Sequence, residues 1–441
     1  MFTARASRQL LAIAASASAT IALTFLSSSA AEPTAASASW HQWRGPNRDG
    51  ISPEKGLLDE WPKDGPPIVW KVKGLGRGFA SVSIGDGKIF SMGRLKEAEH
   101  LIALDVKNGK QLWATPAGDA DHSNCTPTYD GERVYGVGRN GHLTCVDAKT
   151  GKLLWQQNFE KDFKGKMHSG WGFSESPLVD GDRVICTPGA DKAILAALDK
   201  RTGEAIWTAA MPDRKEVGDR GGDGAAYSSI VVSEGAGVKQ YVQLVGRGVI
   251  GVRASDGKVL WTYNRVANGT ANIPTPLVHG DYVFCSSGYG TGAALLKLVR
   301  DGDGPDAGVK AVEQYFLEAN KMQNHHGGMI LLGDYIYCGH GHNEGFPLCI
   351  EWKTGNTVWK PGRGAGSGSA AIAYADGNLY YRYESGDMAL VEATPKEYRL
   401  KGKFKIAIKH GPSWPHPVIE EGKLYLRDED ELVCYDIRGE K

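Results

Sequence analysis

The chain has 441 residues, with 51 basic side chains against 51 acidic and seven cysteines. This balance excludes an electrostatic case for nucleic acid or an anionic membrane surface, and no block of five or more like charges makes a tail. The length suits one large all-β domain or two or three ordinary ones.

Residues 1–31 read as an export signal. Arg5 and Arg8 form a basic start, Leu10 to Leu26 is an uncharged run rich in Ala, Leu and Ile, and Ser29-Ala30-Ala31 offers small residues for cleavage. The run is short for a bilayer span. No second apolar span follows, and no Cys near the cleavage site suggests a lipid anchor. The expected product is soluble, monomeric, and periplasmic or extracellular. Residues 32–66 are a Pro/Gly-rich lead-in carrying Trp40, Trp43 and Arg44. It is expected to strap the outside of the domain at 67–441.

That domain is repetitive. ALDVKNGKQLW, ending at Trp113, returns as CVDAKTGKLLW (Trp155), ALDKRTGEAIW (Trp207), GVRASDGKVLW (Trp261) and CIEWKTGNTVW (Trp359). In most copies Asp bonds its own backbone downstream, Gly supplies positive φ to close a turn, and Trp opens the next strand. A second strand–turn–strand signal precedes each copy, around Gly87, Gly131, Gly181, Gly235, Gly280, Gly333, Gly377 and Gly422. Eight such signals at 44- to 54-residue spacing, each with about four short strands, predict units that must stack to bury their faces. The fold is therefore an eight-bladed β-propeller of four-stranded antiparallel blades. The last unit stops after three strands. An orphan strand, Ile68 to Val72, precedes the first unit and is expected to complete the last blade.

Departures from the repeat are informative. The fifth unit has Lys310 to Phe316 in place of the Trp strand, with Asp301, Asp303 and Asp306 in its hairpin as a weak calcium candidate. The seventh unit lacks the Trp. Six cysteines occupy two repeat positions where other copies carry Ala, Gly or Ser, and so read as small buried fillers. A disulfide between Cys338 and Cys349 is left open.

The pattern at Ala197, Asp199, Thr202, Gly203 and Trp207 resembles the tryptophan-docking repeat of the pyrroloquinoline-quinone (PQQ) propeller superfamily, over roughly residues 67–438. Residues 43–50, 324–328 and 424–428 resemble a bacterial branch of exported PQQ-binding-like propellers. The superfamily includes PQQ-dependent alcohol and polyvinyl-alcohol dehydrogenases, and outer-membrane assembly factor B, which binds protein partners and no quinone. The resemblance therefore implies the fold and leaves the activity open.

In a propeller, the loop leading into each innermost strand and the loop between the second and third strands share one face, around the central mouth. The residues nominated there are Arg77, His122, Asn124, His168, Trp171, Asp223, Tyr227, Arg247, His325, His326, His340, His342 and Trp414. Phe79, Arg139, Tyr289, Asn343, Ser369 and His416 lie on the same loops. Three readings follow. His325, His326, His340 and His342 hold a metal. Alternatively, Arg77, Arg139 or Arg247 pairs with ligand carboxylates while Trp171 or Trp414 stacks. Otherwise these side chains simply fill a narrow mouth.

The primary reading is a binding module for a protein, a glycan or a small polar ligand, with no cofactor called for by the residues. The alternative, a PQQ-dependent alcohol or polyvinyl-alcohol dehydrogenase, implies PQQ with a calcium-type ion. The adjacent Cys pair on which many such relatives stack PQQ is missing, as is the Cys-x-x-Cys-His of a covalent haem. No catalytic residue is assigned.

Overall fold

The computed structural model describes residues 39–439 apart from Pro305 and Lys409. The expected signal segment, 1–31, lies outside the described residues. Eight four-stranded antiparallel sheets follow one another along the chain. Blades 1 to 7 span residues 83–118, 128–158, 178–209, 231–263, 277–317, 329–359 and 370–405. Strand order within each is sequence order. The first strands of successive blades touch in blades 1–2 and from blade 4 through blade 8, so these strands line the axis. Blade 8 takes three strands from residues 418–436 and its fourth from Ile68–Lys73, which runs antiparallel to Glu431–Asp436 with Trp70 opposite Cys434. The N-terminal strand thus zips the ring shut, as expected. Among the described residues, no helix is long and apolar enough to cross a membrane.

Stacking explains the strand composition. In blade 4, Gln240–Val245 and Gly248–Arg253 are buried at every residue, because neighbouring blades cover both faces. Such strands lose the in/out alternation of a sheet with one solvated face.

The repeat motif is a joint between blades. Trp113 Nε1 donates to Ala148 O at 3.2 Å, Trp155 Nε1 to Lys200 O at 3.1 Å and Trp207 Nε1 to Ala254 O at 3.3 Å, each on the next blade. The motif Gly of that next blade lies against the same ring. A Cβ on Gly151, Gly203 or Gly257 would sit 2.5–2.7 Å from Trp113, Trp155 or Trp207. Positive φ and close approach together require Gly there. Trp70 closes the circle by donating to Val106 O at 3.3 Å. The irregular blade 5 keeps the joint with different residues. Tyr315 donates to Trp352 O, and Gly355 lies against its ring. Trp261, facing blade 5, bonds Gln240 Oε1 at 2.6 Å in its own blade.

All seven cysteines are free and buried. Cys338 faces Leu348, and Cys349 faces Tyr337. The two thiols therefore occupy adjacent register positions, which point to opposite faces of the sheet. The acidic hairpin of blade 5 is tied by ion pairs, Lys310 to Asp301 at 2.9 Å and Arg253 to Asp306 at 3.6 Å.

The sequence reading puts the whole lead-in outside the ring, but its first half enters the axis. Trp40 O accepts from Ile84 N (2.8 Å) and His41 O from Tyr129 N (2.8 Å). Trp40 N donates to Glu420 Oε2 (3.0 Å). Ile51 bridges Tyr374 in parallel. Arg48 donates to Ser176 O (3.0 Å), Ile230 O (3.0 Å), Pro177 O (2.5 Å) and Gln42 Oε1 (2.8 Å). Arg44 Nη2 donates to Met329 O (2.5 Å) and Asp49 O (2.8 Å). Seven of the eight blades are bonded through this plug. Residues 57–65 then cross to blades 7 and 8, where Trp61 packs edge-on to Phe404 at 5.0 Å.

The stretch 424–428 works at ring closure. Arg427, fully buried, donates to Ser91 Oγ (2.7 Å), Met92 O (2.5 Å) and Gly76 O (3.0 Å), joining blade 8 to blade 1. Asp428 pairs with buried Arg382 of blade 7 at 3.5 Å.

Candidate functional site

Loops of all eight blades converge on a cavity of about 330 Å³ at the mouth. This lies near the lower end of the roughly 300–1,000 Å³ typical of small-molecule sites. The nominated residues Asn124, Trp171, Tyr227, His325, His326 and Trp414 line it, with Phe79, Tyr289, Asn343, Glu384 and His416. Trp43 and Arg44 of the plug also line it. Sequence reasoning missed these last two because the lead-in was placed outside. The compact Arg-Gly-Pro-Asn-Arg-Asp-Gly run was the available signal, and it folds with positive φ at Arg44 and Arg48.

The walls are aromatic. Trp414 lies 4.6 Å from Phe79, 5.5 Å from His326 and 5.6 Å from Trp171 between ring centroids. Trp43 lies 4.5 Å from His416. Trp171 reaches across the mouth from blade 3 to blade 8 while remaining 51% exposed. Its loop is held from both sides. Arg139 Nε and Asn124 Nδ2 donate to Trp171 O at 2.9 and 3.1 Å, and Trp171 N donates to Tyr227 Oη at 3.2 Å.

The histidines are set by a clamp. Asn324 donates to Gly328 O (3.1 Å) and Gly339 O (2.9 Å) and accepts from Gly328 N (3.1 Å). Gly328 has φ +75°, and a Cβ there would lie 1.6 Å from Arg44 Nη1. Between those residues, His325 meets Ser369 Oγ at 2.8 Å and Tyr289 Oη at 3.1 Å. Burial, then the His342 charge, brings its pKa down to about 4. His416 Nε2 donates to His326 O at 3.0 Å, and burial, then Arg44, brings its pKa down to about 3. Burial, then His325 and His416, holds His326 well below the usual histidine value. All three rings are neutral near pH 7.

Several polar atoms of these lining residues are buried without a protein partner. They are Trp43 Nε1, Trp414 Nε1, Arg44 Nε, His416 Nδ1 and both ring nitrogens of His326. Each is sealed from the cavity by the packing around it, and atoms of the same kind occur elsewhere, at Trp61 Nε1, Tyr380 Oη and Arg382 Nε.

Other nominees fall outside the lining. His342 stands behind Tyr289 at 4.2 Å, His122 behind Phe79 at 5.5 Å and His168 beside Tyr227 at 5.7 Å. Arg77 bridges Arg94 through its backbone. Asp223 accepts from Arg247 Nε (2.6 Å) and Arg214 Nη2 (2.7 Å), away from the cavity. The hydrogen bond from Arg247 leads in holding its carboxyl below the usual range. His340 is separate too, between Gln323 N (3.2 Å) and Lys360 Nζ (2.9 Å). The four-histidine metal reading therefore fails. His325 has both nitrogens engaged, His340 lies elsewhere, and no metal-competent cluster of three His, Cys, Asp or Glu occurs among the described residues.

An eight-bladed ring of PQQ-like repeats around an aromatic-lined mouth defines the class of protein. A family model described as outer membrane protein assembly factor BamB matches residues 97–361, and the chain belongs to that family. BamB of Yersinia pestis is 28% identical over 162 residues, covering 35% of this chain and 36% of that one. The dehydrogenase subunit of the quinone alcohol dehydrogenase of Gluconobacter oxydans is 30% identical over 149 residues, 30% of this chain and 19% of that one. The chain thus matches about a third of the length of its BamB relatives. Among solved structures, quinohemoprotein alcohol dehydrogenase ADHIIG from Pseudomonas putida superposes with a TM-score of 0.61 at 15% identity, over 92% of this chain and 81% of that one. A europium-containing methanol dehydrogenase gives 0.62 at 12%, over 88% and 89%. At these identities the likeness is one of fold.

The lining does not fit PQQ with a calcium-type ion. A tricarboxylate calls for guanidinium partners and the ion for several oxygen ligands. Arg139 is spent on Trp171 O and Asp121, and Arg247 on Asp223. Arg44 is bonded to two backbone carbonyls. The lining holds a single carboxylate, Glu384, which accepts from Ser369 N at 3.3 Å.

Proposed function

We propose that the protein is an exported, monomeric binding propeller that holds a small polar ligand, or one end of a larger one, in its mouth. The observation that carries this is the convergence of loops from all eight blades on one aromatic-walled cavity, with Trp43 and Arg44 of the lead-in in its lining. Membership of a family named for an assembly factor supports binding over catalysis. The nominated acid and the imidazoles at the lining are weak bases. Asp223 is held by two arginines outside it, and His325 and His416 titrate far below pH 7.

The test is a titration of the purified protein with PQQ and Ca²⁺, followed by tryptophan fluorescence, then alcohols with an artificial electron acceptor. No stoichiometric quinone binding and no dye reduction is the expected result. Tight binding with dye reduction would replace this reading with a dehydrogenase.

A further inference from the structure

We infer that Glu175 is a protonated carboxylic acid in the folded ring, and that its ionisation is a pH switch acting on the joint between the plug and the mouth. Glu175 stands on the approach to blade 3, between Ser174 and Ser176, which both line the cavity. Its carboxyl does not line it. It is buried instead against Thr187 of blade 3 and Gln243 of blade 4. Glu175, Thr187, Gln243 and Ser228 are each at most 1% exposed, so these groups must match one another.

The hydrogens between them can be counted. Thr187 Oγ1 is in hydrogen-bond contact with Glu175 Oε2 and lies 2.7 Å from Gln243 Oε1. A hydroxyl carries one proton and can serve only one of these oxygens. The amide cannot supply the other by turning round. Its Nε2 donates to Ser228 O at 2.8 Å, and a flip would set Gln243 Oε1 against that carbonyl. The second proton therefore belongs to Glu175. Its Oε2–H donates to Thr187 Oγ1, the Thr187 hydroxyl donates to Gln243 Oε1, and Glu175 Oε1 accepts from Thr187 N at 2.6 Å. Burial acts in the same direction, raising the carboxyl pKa to about 7 against the bonds from Thr187 and the charge of Arg48.

Losing that proton leaves two acceptors for one hydroxyl. The titratable groups that face the new charge are Arg48 of the plug and the thiols of Cys125 and Cys186. Burial pushes the Cys125 thiol up to about 12 and Cys186 well above its ordinary value, so both stay neutral and Arg48 is the cation that answers. Arg48 already holds Ser176 O and Pro177 O, the two carbonyls that follow Glu175 in the chain. An ionised Glu175 competes with them for the same guanidinium. The competition falls on Ser176, a residue of the mouth lining.

The experiment compares the full mature chain with Glu175→Gln, whose amide reproduces the protonated acid by accepting from Thr187 N and donating to Thr187 Oγ1. Infrared difference spectra should show a protonated-carboxyl C=O stretch in the wild type at about pH 6 that is lost by about pH 9 and is missing from the variant at both. Glu420 contributes its own band to both proteins and cancels. Because the native value lies above the ordinary 4.5, this proton's share of stability falls as pH rises towards 7, so the wild type should lose ground to the variant in thermal unfolding over that window. Acrylamide quenching of tryptophan should rise with pH over the same range in the wild type and stay level in the variant. Thr187→Ser keeps the hydroxyl and is the second variant. It should retain the band at a shifted frequency, which assigns the band to Glu175 even if Glu175→Gln folds poorly. No Glu175-dependent band at about pH 6 means an ionised carboxylate and overturns the inference. A band that persists at about pH 9 shows the proton without the switch and overturns it too. A band that titrates while quenching changes equally in both proteins overturns the coupling to the mouth.

Discussion

Two neighbouring levels of the ring's axis use polar side chains in opposite ways. Beneath the cavity floor, buried Arg48 is surrounded by acceptors from blades 3 and 4 and from the lead-in itself. Burial lowers its pKa to about 10, opposed by Glu175. Around the cavity, polar atoms of two indoles and two imidazoles are buried without a partner. The lower level is finished by the chain alone. The upper level is left with polar atoms unpaired, and this contrast separates a saturated polar network from an unsaturated one.

The comparison can be broken most forcefully from below. Arg48→Met strands several buried carbonyls, and should cost roughly 3–5 kcal/mol in urea unfolding. A cost under about 1 kcal/mol would mean the plug does not brace the blades. Next, Gly328→Ala introduces a Cβ at positive φ where Arg44 already lies. It should cost roughly 2–4 kcal/mol and distort the mouth, seen as loss of ligand-induced fluorescence change.

A pH-dependent test bears on the plug's anchor. Burial raises the Glu420 pKa to about 7 from an ordinary 4.5, opposed by its bond from Trp40 N. The native state therefore keeps this proton between pH 4.5 and 7 while the unfolded state loses it, so this contribution to stability falls as pH rises through that window. Glu420→Gln should remove the slope and stabilise the protein at pH 8 by roughly 1–3 kcal/mol. The buried histidines act in the opposite sense below pH 6.5 and cancel in the difference between variant and wild type. The smallest effect belongs to the unsaturated level. His326→Leu and Trp43→Phe delete unpaired polar atoms, and should leave unfolding free energy unchanged or raised by up to about 1 kcal/mol. A large loss in either would return these residues to a purely structural role.

The ring was legible because its signals are local and repeated. Gly151 beneath Trp113 and Gly203 beneath Trp155 are the same joint written twice, so the period alone predicts stacking. Closure by Ile68–Lys73 was legible as a missing strand at one end and a spare at the other. The site was half legible. Loop position identified Trp171, His325, His326 and Trp414. It could not reveal whether a charge was already satisfied, and Arg247 and Asp223 satisfy each other. Nor could it place Trp43 and Arg44, since a lead-in outside the repeat has no period to locate it.

The zipper of blade 8 has a consequence for how the molecule is made. Its two halves come from opposite extremities of the repeat domain, so an unfinished chain leaves a sheet margin open to pairing with strangers. The plug is tethered to Ile68–Lys73 through residues anchored on blades 7 and 8, so it is seated as part of the same closure. Assembly should therefore be slow and all-or-none, with partial products prone to clumping rather than surviving as smaller rings.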